Sequence, residues 1–289
     1  MSEINYWRIP YTQLPSLGER YPQGSSIKFR CMTVNDLKYM ASLKDENADE
    51  MVTDILERCL KLDGVRFDQL LRMDRLTMLF FIRTNTFLLS NGFQTEFDCP
   101  HCGSRERQEF KMSDLKVKKI TESTIHDVDM VDELGICVSG EYKTFADRVY
   151  HSPDPLIDLI LNNTDLAHWQ DMTVEQWTDW IYNLPADKVA KLKRAANDAR
   201  CGVLGYVDLK CSKCRKTLRV GVDISDKSLF NKAKLSVLIR NKIQISKYCG
   251  VQITDDTPYN EVELTIAIVN ELSEAEARSM KESKNGAKK

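Results

Sequence analysis

Histidine is scarce in this chain, and the four present sit in no catalytic pattern. His101, His126, His151 and His168 are scattered, and His151 and His168, beside Asp154 and Asp171, read as solvated surface. There is no glycine-rich phosphate loop, no Gly-x-Ser-x-Gly turn and no His-Glu-x-x-His helix, so three common catalytic frameworks lack their signatures. The reading is of a non-enzyme. No run of about 18 apolar residues occurs, which argues against a membrane-spanning helix. Met1-Ser2-Glu3-Ile4-Asn5 has neither the basic start nor the apolar core of a secretory signal. Nine cysteines, an odd number, suit a reducing compartment better than a disulfide framework. Cys31, Cys59, Cys137, Cys201 and Cys249 are read as thiols with no activating pattern around them.

What is present is an ordinary globular composition, 42% hydrophobic and 29% charged over 289 residues. The net charge of −2 hides an uneven distribution. Eleven Lys or Arg lie between Lys210 and Lys247 against Asp223 and Asp226 only, a local balance of +9 that leaves about −11 elsewhere.

The chain is organised around two cysteine hooks, Cys99-Pro100-His101-Cys102 and Cys211-Ser212-Lys213-Cys214. Each short hook turns two sulfurs onto one ion, and four thiolates make a tetrahedral shell suited to Zn²⁺. The context repeats at an offset of 112 residues: Phe97 with Leu209, Phe110 with Val222, Met112 with Ile224, and Ser113-Asp114 with Ser225-Asp226. Alternation continues on both sides, through Phe93, Thr95 and Phe97 before the first hook and Leu218, Val220 and Val222 after the second. That is unlike a redox Cys-x-x-Cys, which opens a helix. Cys99, Cys102, Cys211 and Cys214 are therefore read as the ligands of one structural Zn²⁺ in a two-arm ribbon. His101, inside a hook, is the alternative ligand. A closed shell offers no open position for chemistry.

The remaining pattern gives an α+β, mostly helical chain, with helical N- and C-terminal parts joined by the ribbon and a helical insert between its arms. Residues 1–25 read as an extended arm carrying Tyr6, Trp7, Tyr11 and Tyr21, which either packs on its own domain, the favoured reading, or reaches a neighbour. Residues 26–92 hold a strand over 26–32, then helices from Thr33 to Leu43, through Met51 to Leu60, and over 68–89. Asp74 and Arg83, inside the most apolar of these, need partners. The ribbon spans 93–115 with 203–226. The insert, 116–202, mixes short strands and loops, then helices over 155–162, 165–170, 173–183 and 186–200, with Thr173 and Gln176 as a capping box. Trp169, Trp177, Trp180, Tyr182 and Leu184 form its small core. Helices from Ser225 to Tyr248 and from Thr257-Pro258 onward fill 227–280, and 281–289 is a disordered tail.

Leu14-Pro15-Ser16-Leu17-Gly18 with Tyr21-Pro22, Ile27-Lys28-Phe29-Arg30 into Met32-Thr33, Leu70 to Arg75 leading to Ile82-Arg83-Thr84, and Phe97-Asp98-Cys99-Pro100-His101-Cys102 together resemble the T4-like bacteriophage baseplate proteins. That family includes a baseplate hub subunit and a hub assembly factor. The resemblance implies a non-enzymatic component or assembly factor of a contractile-tail baseplate hub. It implies other hub and tail proteins as partners, no small-molecule substrate and no membrane, and a place in the host cytoplasm during assembly and in the virion tail. A zinc ribbon that binds nucleic acid is the alternative, carried by Lys210, Lys213, Arg215, Lys216 and Arg219. Against it, Arg105 and Arg107 face Glu106 and Glu109, and stacking aromatics are missing near the basic run.

Overall fold

A computed structural model describes residues 5–42, 48–89, 92–122, 143–147, 149–163, 172–222 and 235–286. Among these, eight helices and eight strands make an α+β arrangement. Strand β1 (Trp7–Arg8) pairs with β2 (Ser26–Phe29), and β2 pairs on its other edge with β3 (Leu60–Asp63), both antiparallel. Ile9, Leu14 and Ile27 are fully buried. The N-terminal segment therefore packs on its own chain through these residues and Tyr21, while Tyr6 and Trp7 stay exposed.

What fixes that segment is Asp74 on α3 (Arg72–Thr86), a carboxyl with no solvent exposure. The Ser16 backbone N–H donates to Oδ1 at 2.9 Å, while the Ser16 and Tyr21 hydroxyls donate to Oδ2 at 2.5 and 2.7 Å. The Tyr21 oxygen in turn accepts the Leu71 N–H at 3.1 Å. Buried carboxyls persist only with such partners. Burial nonetheless pushes the Asp74 carboxyl above the usual range, against the downward pull of these donors. Arg83 lies over the Phe93 ring at 4.2 Å, a cation–π contact.

Helix α1 (Val34–Ser42) starts as its sequence indicates: Thr33 Oγ1 accepts the Asp36 N–H at 3.3 Å, and Asp36 Oδ2 accepts the Thr33 N–H at 2.8 Å. Arg30 donates to the same Asp36 at 2.6 Å. Helix α2 (Ala48–Cys59) buries Met51, Val52, Ile55, Leu56 and Cys59. It stops one residue short of Leu60, which the periodicity assigns to the helix. Leu60 to Asp63 instead complete the sheet, because β2 has a free edge and each of these residues finds a ladder partner on it. Helix α3 is likewise shorter than the apolar run. Leu70 and Leu71 are extended, with Phe145 N–H bonded to Leu70 O and Arg72 N–H to Lys143 O, both at 2.9 Å, so a tertiary backbone pairing takes the place of a helical turn.

Beyond α3, β4 (Phe93–Asp98) and β5 (Arg105–Phe110) form a hairpin, and β6 (Leu115–Lys118) leads into the insert. There α4 (Pro155–Asn163), α5 (Val174–Tyr182) and α6 (Ala186–Ala199) share a separate small core. Both bonds of the Thr173–Gln176 capping box form. Trp177 is buried with Ile157, Ile160, Ile181 and Leu192, whereas Tyr182 is 62% exposed and turns its hydroxyl to Asp154. Tyr182 is thus outside the core expected of it, since its position on α5 faces solvent. The helix expected over 165–170, with Trp169, lies outside the described residues.

Strands β7 (Gly202–Lys210) and β8 (Thr217–Gly221) complete a three-stranded sheet in the order β6-β7-β8. β7 enters close to α3: Gly202 has φ 113°, and a Cβ there would stand 3.0 Å from the Met73 carbonyl oxygen.

The chain ends in α7 (Leu235–Cys249) and α8 (Tyr259–Gly286). The start expected for the first of these, at Ser225, lies outside the described residues. Helix α8 continues through 281–286, where a disordered tail was expected, because nothing in that stretch is a helix breaker before Gly286. The helical ends also meet directly rather than through the ribbon alone. Val34 N–H bonds to Thr257 O at 3.0 Å and Tyr259 N–H to Met32 O at 2.9 Å, and Leu238, Ile245, Tyr259 and Val262 enter the main core.

Candidate metal centre

The two cysteine hooks fold as copies of each other. In the first, Gly103 N–H bonds to Cys99 O at 2.8 Å and Cys99 N–H to Ser104 O at 2.9 Å. In the second, Arg215 N–H bonds to Cys211 O at 2.9 Å and Cys211 N–H to Lys216 O at 3.0 Å. Every atom pair is displaced by the same 112 residues as the sequence repeat. The strands below obey it too: Phe97 faces Glu106 as Leu209 faces Leu218, and Asp98 faces Arg105 as Lys210 faces Thr217. So do the cross-strand ion pairs, Glu96 with Arg107 at 3.9 Å and Asp208 with Arg219 at 3.8 Å.

The turn after each hook requires left-handed backbone, φ 67° at Gly103 and φ 60° at Arg215. Glycine meets that requirement freely. Arginine does so at a cost of about 1–2 kcal/mol.

The arms meet at the sulfurs. All four Sγ atoms, of Cys99, Cys102, Cys211 and Cys214, lie within 4.8 Å of one another, and Cys99 to Cys214 and Cys102 to Cys211 are each 3.7 Å. Zn–S bonds of about 2.3 Å in a tetrahedron put sulfurs about 3.8 Å apart. The donor set and spacing fit one thiolate-bound metal ion. None of the four is in a disulfide. Phe97 and Leu209, equivalent in the repeat, wall the cluster together with Leu218 and Val220. His101 is exposed and outside the cluster.

Four thiols this close cannot all ionise without a cation, since each thiolate disfavours the next. The ionisation is accordingly split. Hydrogen bonds to Ser104 bring Cys102 down to about 6, and backbone N–H donors at Cys214 and Lys213, with Ser104, lower Cys211. At Cys214 the Lys216 N–H pulls downward, but desolvation and the neighbouring thiols outweigh it and push the group up to about 11.

One residue at this site is not legible as a site residue in the sequence. By sequence Glu106 stands against Arg105 and Arg107. Strand alternation instead turns it inward, 7% exposed, while Arg105 pairs with Glu96 at 3.1 Å. Glu106 accepts from the Ser212 hydroxyl at 2.9 Å, the Ser104 hydroxyl at 3.0 Å and Gln108 Nε2 at 3.3 Å, and those donors, Ser212 foremost, hold its carboxyl at about 2. Gln108 Nε2 also reaches Lys210 O at 2.7 Å. A polar clasp therefore joins the arms beside the sulfurs. Its only sequence signal is an acid on the inward register, where the second arm has Leu218.

The basic residues Lys210, Lys213, Arg215, Lys216 and Arg219 are exposed around the second hook. Arg219 is drawn back over the Tyr206 ring at 4.3 Å and toward Asp208.

Among known proteins, the family model described as T4 bacteriophage base plate protein matches residues 8–231. No curated protein and no solved structure matches the chain.

Proposed function

The chain belongs to the T4 bacteriophage base plate protein family, and from that premise we propose that it is a non-enzymatic component or assembly factor of a contractile-tail baseplate hub, built around a structural Zn²⁺. The family match across most of the chain carries the first half of this reading. The second half is supported by four sulfurs at tetrahedral spacing, drawn from two arms more than a hundred residues apart. Zinc here serves architecture: four protein ligands fill its shell, and its binding energy holds the arms as one body. Cys99, Cys102, Cys211 and Cys214 are the ligands. Hub and tail proteins are the partners, met in the host cytoplasm during assembly.

The test is purification of a tagged chain from infected host cells, with mass spectrometry of its partners and of finished particles. Hub and tail-tube proteins together with the chain in the particle identify a hub subunit. The same partners with the chain absent from the particle identify an assembly factor. Nucleic acid alone, bound with a steep salt dependence, overturns the proposal in favour of a nucleic-acid-binding ribbon. Elemental analysis of the same preparation reads the metal, with one zinc per chain expected.

A further inference from the structure

The two C-terminal helices each bury one stripe and expose another. On α7, Leu238 and Ile245 enter the main core, while Ile239 and Ile243 fall on the opposite side and are 49% and 63% exposed. Together with Arg240, Gln244, Lys247 and Tyr248 they line one shallow groove. On α8, Val262 and Val269 are buried, while Leu264, Ile268 and Leu272, spaced i, i+4, i+8, form a single outward row, each more exposed than not or close to it. Scattered exposed apolar side chains are ordinary, but a regular exposed row on each of two helices packed together is not.

The rows differ in their charge. Helix α7 carries Arg240, Lys242 and Lys247 and no acidic residue. From Tyr259 to Ala277, α8 carries Glu261, Glu263, Glu271, Glu274 and Glu276 and no basic one. Lys242 turns to Asp255 of its own chain, at 3.4 Å. Arg240 and Lys247 border the groove, and Glu261 and Glu271 border the α8 row. Both rows point away from the core their helices share, so one copy does not close its own pair.

We propose that this face binds a second copy of the chain, with the basic apolar row of α7 laid on the acidic apolar row of α8 in each direction. A two-fold arrangement of this kind satisfies both rows with one surface, since the patch is self-complementary. Each contact brings Arg240 and Lys247 beside Glu261 and Glu271, and the symmetry makes that contact twice. The face lies beyond residue 231, where the family match ends, and the inference stands apart from the hub reading.

Sedimentation of the full-length chain over a range of concentrations tests it. The wild type is expected to be a dimer, and Ile243→Asp with Ile268→Asp a monomer that keeps the wild-type far-UV circular dichroism and a cooperative melt, since both side chains are exposed in the single chain. Arg240→Glu with Lys247→Glu weakens association by about tenfold or more, and adding Glu261→Lys with Glu271→Lys restores it, which a loss of fold does not do. A monomer at every concentration overturns the proposal. So does a dimer indifferent to the Ile243 and Ile268 substitutions, or a monomeric chain whose face is occupied by a different baseplate protein.

Discussion

Asp74 offers the sharpest test of how this chain is held together. Replacing it with Ala leaves the Ser16 N–H, the Ser16 hydroxyl and the Tyr21 hydroxyl without their acceptor in a site closed to water. A buried donor left unsatisfied costs about 1–3 kcal/mol. The two hydroxyls are able to rotate toward other acceptors, while the backbone N–H is not, so the net loss is about 2–4 kcal/mol. At about 2–4 °C per kcal/mol for a chain of this size, the melting temperature falls by about 4–16 °C. Tyr21→Phe removes one of the three donors and also leaves the Leu71 N–H without its acceptor, and costs about 1–3 kcal/mol. In the double variant the part of that cost owed to Asp74 is absent, while the part owed to the Leu71 N–H remains, and a double-mutant cycle reads the coupling directly. The pH dependence adds a second readout. Burial raises the folded carboxyl above its unfolded value, so its favourable contribution is full below the unfolded value, about 3.9, and is lost as pH rises through the folded one. The stability gap between wild type and Asp74→Asn, which does not titrate, should therefore be widest in acid and narrow toward neutral pH. Denaturant titrations at several pH values measure it. Strict additivity of Tyr21→Phe and Asp74→Ala, or a gap that widens with pH, would falsify the reasoning.

Three further outcomes are expected. Gly103→Ala adds a Cβ into open space but forces it into left-handed backbone, and should cost about 1 kcal/mol in thermal denaturation; Arg215→Gly at the equivalent turn relieves that strain at the cost of chain entropy, for a gain of about 0–1 kcal/mol. At Asp36, burial pushes the carboxyl up, but the Arg30 guanidinium and Thr33 donors outweigh it and hold it below its usual value. Its stabilisation is present above the unfolded carboxyl value and lost as pH falls through the lower folded one, so Asp36→Asn should flatten the acid limb of a stability–pH profile. Cys102→Ser, or a strong chelator, should release the metal and lower the melting temperature. Equal elemental content before and after Cys102→Ser would remove Cys102 from the ligand set.

The cluster of four cysteines was legible because the two hooks and their flanks are local patterns: spacing, alternation and the 112-residue repeat are all linear features. Helix starts at Thr33 and Thr173 were legible for the same reason, since a cap and the residue three positions on are neighbours in any helix. The ends of helices were not. Leu60 to Asp63 and Leu70 to Leu71 have apolar residues suited to a helix, and they are taken from it by strands and backbone partners distant in the chain. Glu106 shows the same limit at the site itself. The sequence presents it as one charge among several, and only the pairing of β4 with β5 decides that it points inward to Ser212.

By itself, then, the sequence determined four cysteines in two equivalent arms, an α+β chain with a helical insert, and a resemblance to baseplate proteins. Tertiary structure decided which partners the buried charges take: Asp74 with Ser16 and Tyr21, Asp36 with Arg30, Glu106 across the two arms. It also decided that the C-terminal helices dock on the N-terminal part and leave Ile239, Ile243, Leu264, Ile268 and Leu272 exposed. Local periodicity is written in neighbouring residues, whereas the satisfaction of a buried polar group depends on what the fold brings beside it.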